Sequence, residues 1–349
     1  MMKTFRFDEI AYNSTQKVKP TEADKEHYIG LEHIDGECLY ISRWGSDVAP
    51  IGEKLVMRKG DILFGKRRAY QRKVAIAPID GIFSAHGLVL RPKEDVVDKD
   101  YFPFFMSSNQ FLDRAVQISV GGLSPTINWK DLARQEFTLP ALSEQKVLAD
   151  KLWAAYRVKE SYKKLLAATD DMLKAKFMEM FGEEGETISY GDLFYDDTRH
   201  ATKIVAAEYK QEGKYAIYDQ SSDKIICGYT DMADGVCLDY PTILFGDHSR
   251  VIKYIDTPFF IGADGVKIIR PLGSTFIIKF AYYMLKYYNI PNTGYNRHYK
   301  YLQAAKFLCP PLPLQQQFVE IATQAEATKE SLRKSIENID QVIKSLINQ

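Results

Sequence analysis

The chain has 349 residues, 46% of them hydrophobic, and its 46 Lys and Arg are balanced by 46 Asp and Glu. That length admits two ordinary domains with their own cores, and that apolar content excludes wholesale disorder. A net charge of zero leaves no overall cationic field, so any contact with nucleic acid has to come from local clusters of Lys and Arg.

No charged-then-apolar leader opens the chain, and its most apolar stretch, 276–290, is interrupted by Lys279 and Lys286. Neither export nor a membrane span is expected, and the location is expected to be cytoplasmic. The four cysteines, Cys38, Cys227, Cys237 and Cys309, form no C-x-x-C pair and no Cys/His spacing suited to zinc. Packed thiols in a reducing compartment are expected.

Near the start, Phe7-Asp8-Glu9-Ile10 is followed by short β-rich runs set between Gly, Asp and Pro turns. Asp61-Ile62-Leu63-Phe64-Gly65 reads as a short buried strand, and GKRRAYQRK at 65–73 follows it with five cations and no acid. That run is either a solvated loop or a surface that holds phosphates and bases. A further β-rich run covers 81–90. The loop 121–129, GGLSPTINW, then leads to FTLPALSEQ at 137–145.

A heptad series follows: Leu148, Leu152, Ala155, Lys159, Tyr162, Leu166, Thr169 and Leu173 alternate steps of four and three. Ser143 is expected to cap this helix, and Gly182 and Gly185 to end it. From 143 to 180 it would be roughly 55 Å long at about 1.5 Å per residue, too long for a surface helix of a small domain.

The second half repeats the first. Tyr190-Gly191-Asp192-Leu193 echoes 7–10, Thr242-Ile243-Leu244-Phe245-Gly246 echoes 61–65, and 265–271 echoes 87–92. The loop 292–299, NTGYNRHY, aligns with 121–129, and Trp129 and Tyr299 are expected to anchor these loops to the core. From residue 130 to 177 a shift of 170 superposes the chain on 300–347 without insertion. It matches Phe137 to Phe307, Pro140 to Pro310, Leu142 to Leu312, Gln145 to Gln315 and 159–161 to 329–331. Pro313 suits the first turn of the second helix, whose heptad series runs through Phe318, Ala322, Ala325, Lys329, Leu332, Ile336, Ile339, Ile343 and Leu346. A lysine breaks both series at the same place. Such duplication points to two similar surfaces about an approximate two-fold axis. The helices are expected side by side and antiparallel, the alternative being two separate amphipathic helices on their own domains.

Loops after a short buried strand are natural sites for recognition, since the strand fixes the backbone while the tip varies. In the first half the candidates are Lys66, Arg67, Arg68, Tyr70, Gln71 and Arg72, with Ser124, Thr126 and Asn128 from the second loop. In the second half they are His248, Ser249 and Arg250, with Tyr295, Asn296, Arg297 and His298, and Tyr218 and Gln220 from a further polar loop. Arg can bond guanine O6 and N7, Gln can pair with adenine, and surplus cations hold phosphates. Each of these side chains could instead be solvated or paired locally.

Catalytic constellations are missing: no P-loop, no G-x-S-x-G, no H-E-x-x-H, no dinucleotide fingerprint and no Asn/Asp-Pro-Pro-aromatic motif. Among the six histidines His248, within Gly246-Asp247-His248-Ser249-Arg250, has several polar neighbours, as a catalytic group, a loop residue or a DNA contact.

In their order and doubling these motifs resemble the specificity (S) subunit of type I restriction-modification systems. The resemblance rests on Phe-x-x-Pro-x-Leu-x-x-Gln at 137–145 and 307–315, on Gly60-Asp61-Ile62-Leu63-Phe64, on GKYAIY at 213–218 and on ICGYTD at 226–231. It implies an α+β fold with two mixed α/β target recognition domains related by pseudo-two-fold symmetry and separated by two long antiparallel coiled-coil helices. The recognition domains would occupy 1–141 and 186–311, the spacer helices 142–182 and 312–349. The resemblance further implies a non-catalytic subunit that reads a bipartite, gapped target in double-stranded DNA. Two methyltransferase (M) subunits would grip the helices and restriction/translocase (R) subunits would join them. S-adenosylmethionine, ATP and Mg would sit on those partners, and no cofactor on this chain.

Three rival readings remain: a self-contained DNA methyltransferase or nuclease, a coiled-coil adaptor whose ends bind proteins, and a specificity-like subunit of another phage-defence complex. The spacer reading has a direct consequence. Lengthening one helix by about one turn, near four residues, is expected to change the unspecified gap of the target while both half-site sequences stay the same. Mapping the methylated motif of the altered complex checks this, and changed half-sites would refute it.

Overall fold

The computed structural model describes residues 2–182 and 186–348. The chain forms two compact units, one of residues 1–164 with 333–349, the other of 165–332. Its architecture is mixed α and β, built from short strands, short helices and two long helices, Leu142–Phe181 and Leu312–Ile347. Each long helix is divided between the units. None of the described helices is long and apolar enough to cross a membrane.

In the first unit the entering strand Lys3–Arg6 pairs antiparallel with Glu136–Leu139, the strand that leads into the long helix. The unit is thereby closed on itself. A one-turn helix, Phe7–Ile10, follows with Phe7 and Ile10 buried. The main sheet has the strand order Ala11–Ser14, Gly87–Pro92, Ile62–Gly65, Val74–Ile76 and is antiparallel throughout. Successive side chains of a strand face opposite ways, so the unbroken apolar run at 62–64 implies a strand covered on both sides. Ile62 and Phe64 pack into the core beneath the helices, and Leu63 into a second core with Phe83 and Val89. The β-rich stretch 81–90 is two strands, Gly81–Phe83 and Gly87–Pro92. A turn closed by the Gly87 amide on the Ser84 carbonyl, at 3.1 Å, separates them.

The second unit repeats this plan. Thr187–Ser189 pairs with Lys306–Leu308, and Tyr190–Leu193 forms the one-turn helix. The main sheet is Phe194–Asp196, Val266–Pro271, Thr242–Gly246, Ile252–Ile255, in the same order and again antiparallel. Ile243 and Phe245 join the core beneath the helices, while Leu244 joins the opposite one. The smaller sheets have diverged. The first unit's contains one parallel pairing, Tyr28–Ile29 with Gly81–Phe83; the second unit's contains two, both on Phe259–Gly262.

No member of either heptad series is exposed, so the period of 3.5 marks the face each helix packs. In the first unit Ile339, Ile343 and Leu346 pack into the core that contains Leu152 and Tyr156, and buried Lys159 pairs with Asp340. In the second unit Phe177 packs edge-on to Phe318 at 5.2 Å, and Lys329 pairs with Asp170. Lys159 and Lys329 are 170 residues apart, and so are Asp170 and Asp340. The lysines that break the seams are therefore each neutralised by a carboxylate from the other helix, which a cation facing a seam requires.

The helix starts depend on a buried amide. Gln145 and Gln315 are both 0% exposed. Gln145 Oε1 accepts from the Asp98 amide (2.8 Å), while its Nε2 donates to the carbonyls of Val96 (3.1 Å) and Pro140 (2.9 Å). Gln315 repeats the set on the Ile277 amide (2.9 Å) and the Thr275 (3.0 Å) and Pro310 (2.8 Å) carbonyls. Ser143 is not the cap: the helix has already begun at Leu142, and the Glu144 carboxylate reaches back to the Ala141 amide at 3.1 Å. Pro313 does lie in the first turn of its helix. Gly182 directly follows the first helix, its amide bonded to the Met178 carbonyl at 2.8 Å, whereas Gly185 lies outside the described residues.

Replacing Gln145 by Leu would leave one buried N–H and two carbonyls without their partner. Gln145→Leu and Gln315→Leu are each expected to lose about 2 to 4 kcal/mol of stability, read as a lower urea midpoint for the unit concerned by residue-resolved hydrogen exchange.

Candidate nucleic-acid interface

In the first unit the two loops singled out in the sequence meet. Beyond Gly65 the backbone is fixed by the Ile127 amide on the Lys66 carbonyl (3.0 Å), the Arg67 amide on the His86 carbonyl (3.2 Å) and the Arg68 amide on the Pro125 carbonyl (2.7 Å). Arg67 and Thr126 form an isolated antiparallel bridge. The Arg68 Nε donates to Ser124 Oγ at 3.2 Å, and Arg68 holds a left-handed φ of 57°, a conformation few non-glycine residues adopt. Tyr70 and Gln71 lie exposed on the next turn, Ala69–Gln71, anchored by buried Ala69.

The electrostatics are cationic. Burial pulls the Lys66 ammonium below its ordinary range and Lys17 adds to the effect. His86 is lowered first by burial and then by the charges of Arg67, Lys66 and Lys54, so its ring stays neutral at pH 7. Concentrated positive charge of this kind raises the local density of anions.

In the second unit the equivalent loops also meet, through buried Asp247. Its carbonyl accepts from the His298 amide at 2.8 Å, and its carboxylate accepts from the Tyr299 amide at 2.7 Å. Its amide donates to the Gly265 carbonyl at 2.6 Å. The Gln220 Oε1 accepts from the His248 amide (3.1 Å), and the His248 ring stacks on Tyr295 with centroids 4.9 Å apart and planes 10° apart. Asn296 and Arg297 are exposed beside them. Trp129 and Tyr299 anchor the two loops as expected: Trp129 packs edge-on to Phe7 at 5.7 Å and Tyr299 edge-on to Tyr190 at 6.0 Å, the hydroxyls of that second pair being 3.2 Å apart.

Residues 5–168 match the family model described as the type I restriction modification DNA specificity domain. The chain is thus similar, over just under half of its length, to a DNA specificity domain of type I restriction modification. It is 28% identical over 142 residues to the type I restriction enzyme EcoDI specificity subunit of Escherichia coli, a match covering 40% of this chain and 31% of that relative, about a third of its length. The S subunit of a type I restriction-modification system from M. genitalium has the same fold, with a TM-score of 0.58 and 15% identity over 99% of this chain and 95% of that one. A chain of a type I R-M system characterised for complex assembly and conformational transition is similar at a TM-score of 0.56 and 17% identity, covering 99% of this chain and 96% of that one.

Several expected contact residues have other places. Tyr218 is not in a loop: it lies in the strand Tyr215–Tyr218, 5% exposed, packed in the core behind the main sheet. His298 is 0% exposed and its Nδ1 bonds to the Asp247 carbonyl at 3.0 Å, so it supports the loop from within. Arg72 turns away from Arg67 and Arg68 to Asp113 (2.6 Å) and Asn109 (2.9 Å). Ser249 folds back to accept from the Val251 amide at 3.3 Å, and Arg250 donates to the Ile290 carbonyl at 3.1 Å. Thr126 is half-buried, its hydroxyl on the Ser124 carbonyl at 3.2 Å, and Asn128 is exposed at the start of the helix Trp129–Ala133. The His248 Nδ1 is buried and makes no hydrogen bond to the described residues. No group of three or more His, Cys, Asp or Glu among the described residues could hold a metal.

Sequence reasoning missed His86 as part of the first face, although it precedes Gly87, a glycine that the repeat matches. Asp247 belongs to the loop after Ile243–Gly246 that the sequence singled out, and its role there is to join the two loops. Asp247→Ala is expected to remove the acceptor of the Tyr299 amide and to destabilise the second unit by about 1 to 3 kcal/mol. Faster hydrogen exchange at Tyr299 checks it, and Asp247→Asn, which keeps an oxygen there, should restore most of the protection.

Proposed function

We propose that this chain is the DNA-recognition subunit of a type I restriction-modification complex and reads a bipartite, gapped sequence, one half-site per unit. The observation that carries the proposal is the doubled loop pair beyond the equivalent inner strand of each unit's four-stranded sheet, cationic in one unit and aromatic and amide-bearing in the other. Equal frameworks with different tips suit two half-sites of different sequence. Arg67, Arg68, Tyr70, Gln71, Ser124 and Asn128 would serve the first; Gln220, His248, Tyr295, Asn296 and Arg297 the second. Base edges are read by Arg, Gln and Asn while the remaining cations hold phosphates.

The long helices act as an antiparallel coiled-coil spacer in this reading, with the pseudo-two-fold relation between recognition domains at 1–141 and 186–311. The ion pairs Lys159–Asp340 and Lys329–Asp170 support it, because a shift of 170 converts one into the other, as an isologous contact demands. Two M subunits would dock on the helical region and R subunits would join them. S-adenosylmethionine, ATP and Mg would be bound by those partners, and this chain would do no chemistry of its own.

The test is to co-express the chain with its partner methyltransferase and map methylated adenines across the host genome. A gapped, asymmetric motif is expected, and Arg67→Ala with Arg68→Ala should relax one half of it alone. No new methylation with an active partner would refute the proposal, and relaxation of both halves would refute the assignment of one unit to each half-site.

A further inference from the structure

The loop between Val120 and Thr126 is a small closed structure. The Val120 and Thr126 amides each donate to the other's carbonyl, at 3.1 and 2.9 Å, and Gly121 takes a φ of 120° to turn the chain. At its tip Leu123 is 98% exposed, while the next residue, Ser124, holds the Arg68 guanidinium at 3.2 Å. The corresponding loop of the second unit is also closed on itself, by different bonds. Gly294, at a φ of 78°, precedes Tyr295, which is 90% exposed; the Asn296 amide closes on the Gly294 carbonyl at 2.9 Å, and the Gly294 amide on Asn292 Oδ1 at 3.2 Å.

A single exposed leucine is ordinary on a protein surface. Two self-closed loops that each present one large exposed side chain directly after a glycine, a few residues before the matched anchors Trp129 and Tyr299 and beside the candidate reading residues, are not explained that way. Neither 119–128 nor 291–298 contains an acid, and 66–73 contains none either, so the surroundings suit a polyanion. Leucine can neither donate nor accept a hydrogen bond. In the major groove the apolar group a base pair offers is the thymine 5-methyl.

Resting on the DNA reading above, we propose that Leu123 reads thymine in the first half-site by apolar contact with its 5-methyl group, and that Tyr295 has the same role in the second. The pairing makes discrimination of A·T from G·C partly independent of the arginines beside it. Because Leu123 is almost wholly exposed, Leu123→Ala is not expected to disturb folding.

The experiment uses the full chain assembled with its methyltransferase subunits and duplexes bearing the motif mapped for that complex. Each thymine of the half-site relaxed by Arg67→Ala with Arg68→Ala is replaced in turn by deoxyuridine, which lacks only the methyl. One such replacement is expected to weaken wild-type binding about fourfold, the value of burying one methyl-sized group. Leu123→Ala should weaken binding to the thymine duplex by a similar factor and show no further loss with deoxyuridine; Tyr295→Ala should do the same in the other half-site. Wild-type binding that is indifferent to deoxyuridine everywhere, or a deoxyuridine effect that persists in Leu123→Ala, overturns the proposal. So does a rise in 2-aminopurine fluorescence that depends on Leu123 without any methyl effect, which would make the residue a wedge between base pairs. A wild-type complex with no sequence preference would overturn the DNA reading itself, an outcome distinguishable from all of these.

Discussion

The arrangement of this chain depends on one buried side-chain amide used twice. Apolar packing is non-directional, so a helix of 40 residues lying on a core through aliphatic contacts alone could slide or rotate on its domain. Gln145 and Gln315 remove that freedom. Each joins the first turn of its helix to backbone groups from two other stretches of the same unit, and a misplaced helix would leave those groups buried and unpaired. The strand pairs 3–6 with 136–139 and 187–189 with 306–308 then close each unit beside its latch. Within each unit the first turn of the helix is thereby tied to the sheet framework.

Inside each unit the four-stranded sheet has a core on both faces, which holds the central strands Ile62–Gly65 and Thr242–Gly246 firmly. The loops that leave them inherit a fixed origin. Their tips are then free to differ: Arg67 and Arg68 beside Ser124 in one unit, His248 stacked on Tyr295 in the other. The smaller sheets, where parallel and antiparallel pairings have been exchanged, show the same separation of shared framework from divergent periphery.

Much of this was legible in the sequence, for physical reasons that can be named. The heptad series foretold the packed faces because a repeat of 3.5 residues stays on one side of a helix, and the lysine that breaks each series at the same place marked the equivalence of the two helices. The continuous run ILF told of a strand covered on both sides. Ser143 was misread as a cap because Leu142 already takes helical geometry, so the box is closed by Glu144 instead. Tyr218 was misplaced in a loop, and the local partners of His298 and Arg72 went unseen, because polarity alone does not report which way a side chain turns. Tyr218 lies on a strand whose other neighbours are apolar, His298 satisfies a carbonyl inside the loop, and Arg72 finds a carboxylate 41 residues away in sequence.

By itself the sequence determined that one unit is present twice, that each copy ends in a long helix with a defined apolar seam, and that the cations gather beyond the first central strand. Those are properties of period, composition and local order, which a linear pattern carries in full. Only the tertiary structure decided which residues of the doubled loops face solvent together, that Asp340 answers Lys159 and Asp170 answers Lys329, and that the matched glutamines bind the helices to their domains. These depend on contacts between segments far apart in the chain, where the partner of a polar group is set by the geometry of the fold and not by its neighbours in sequence.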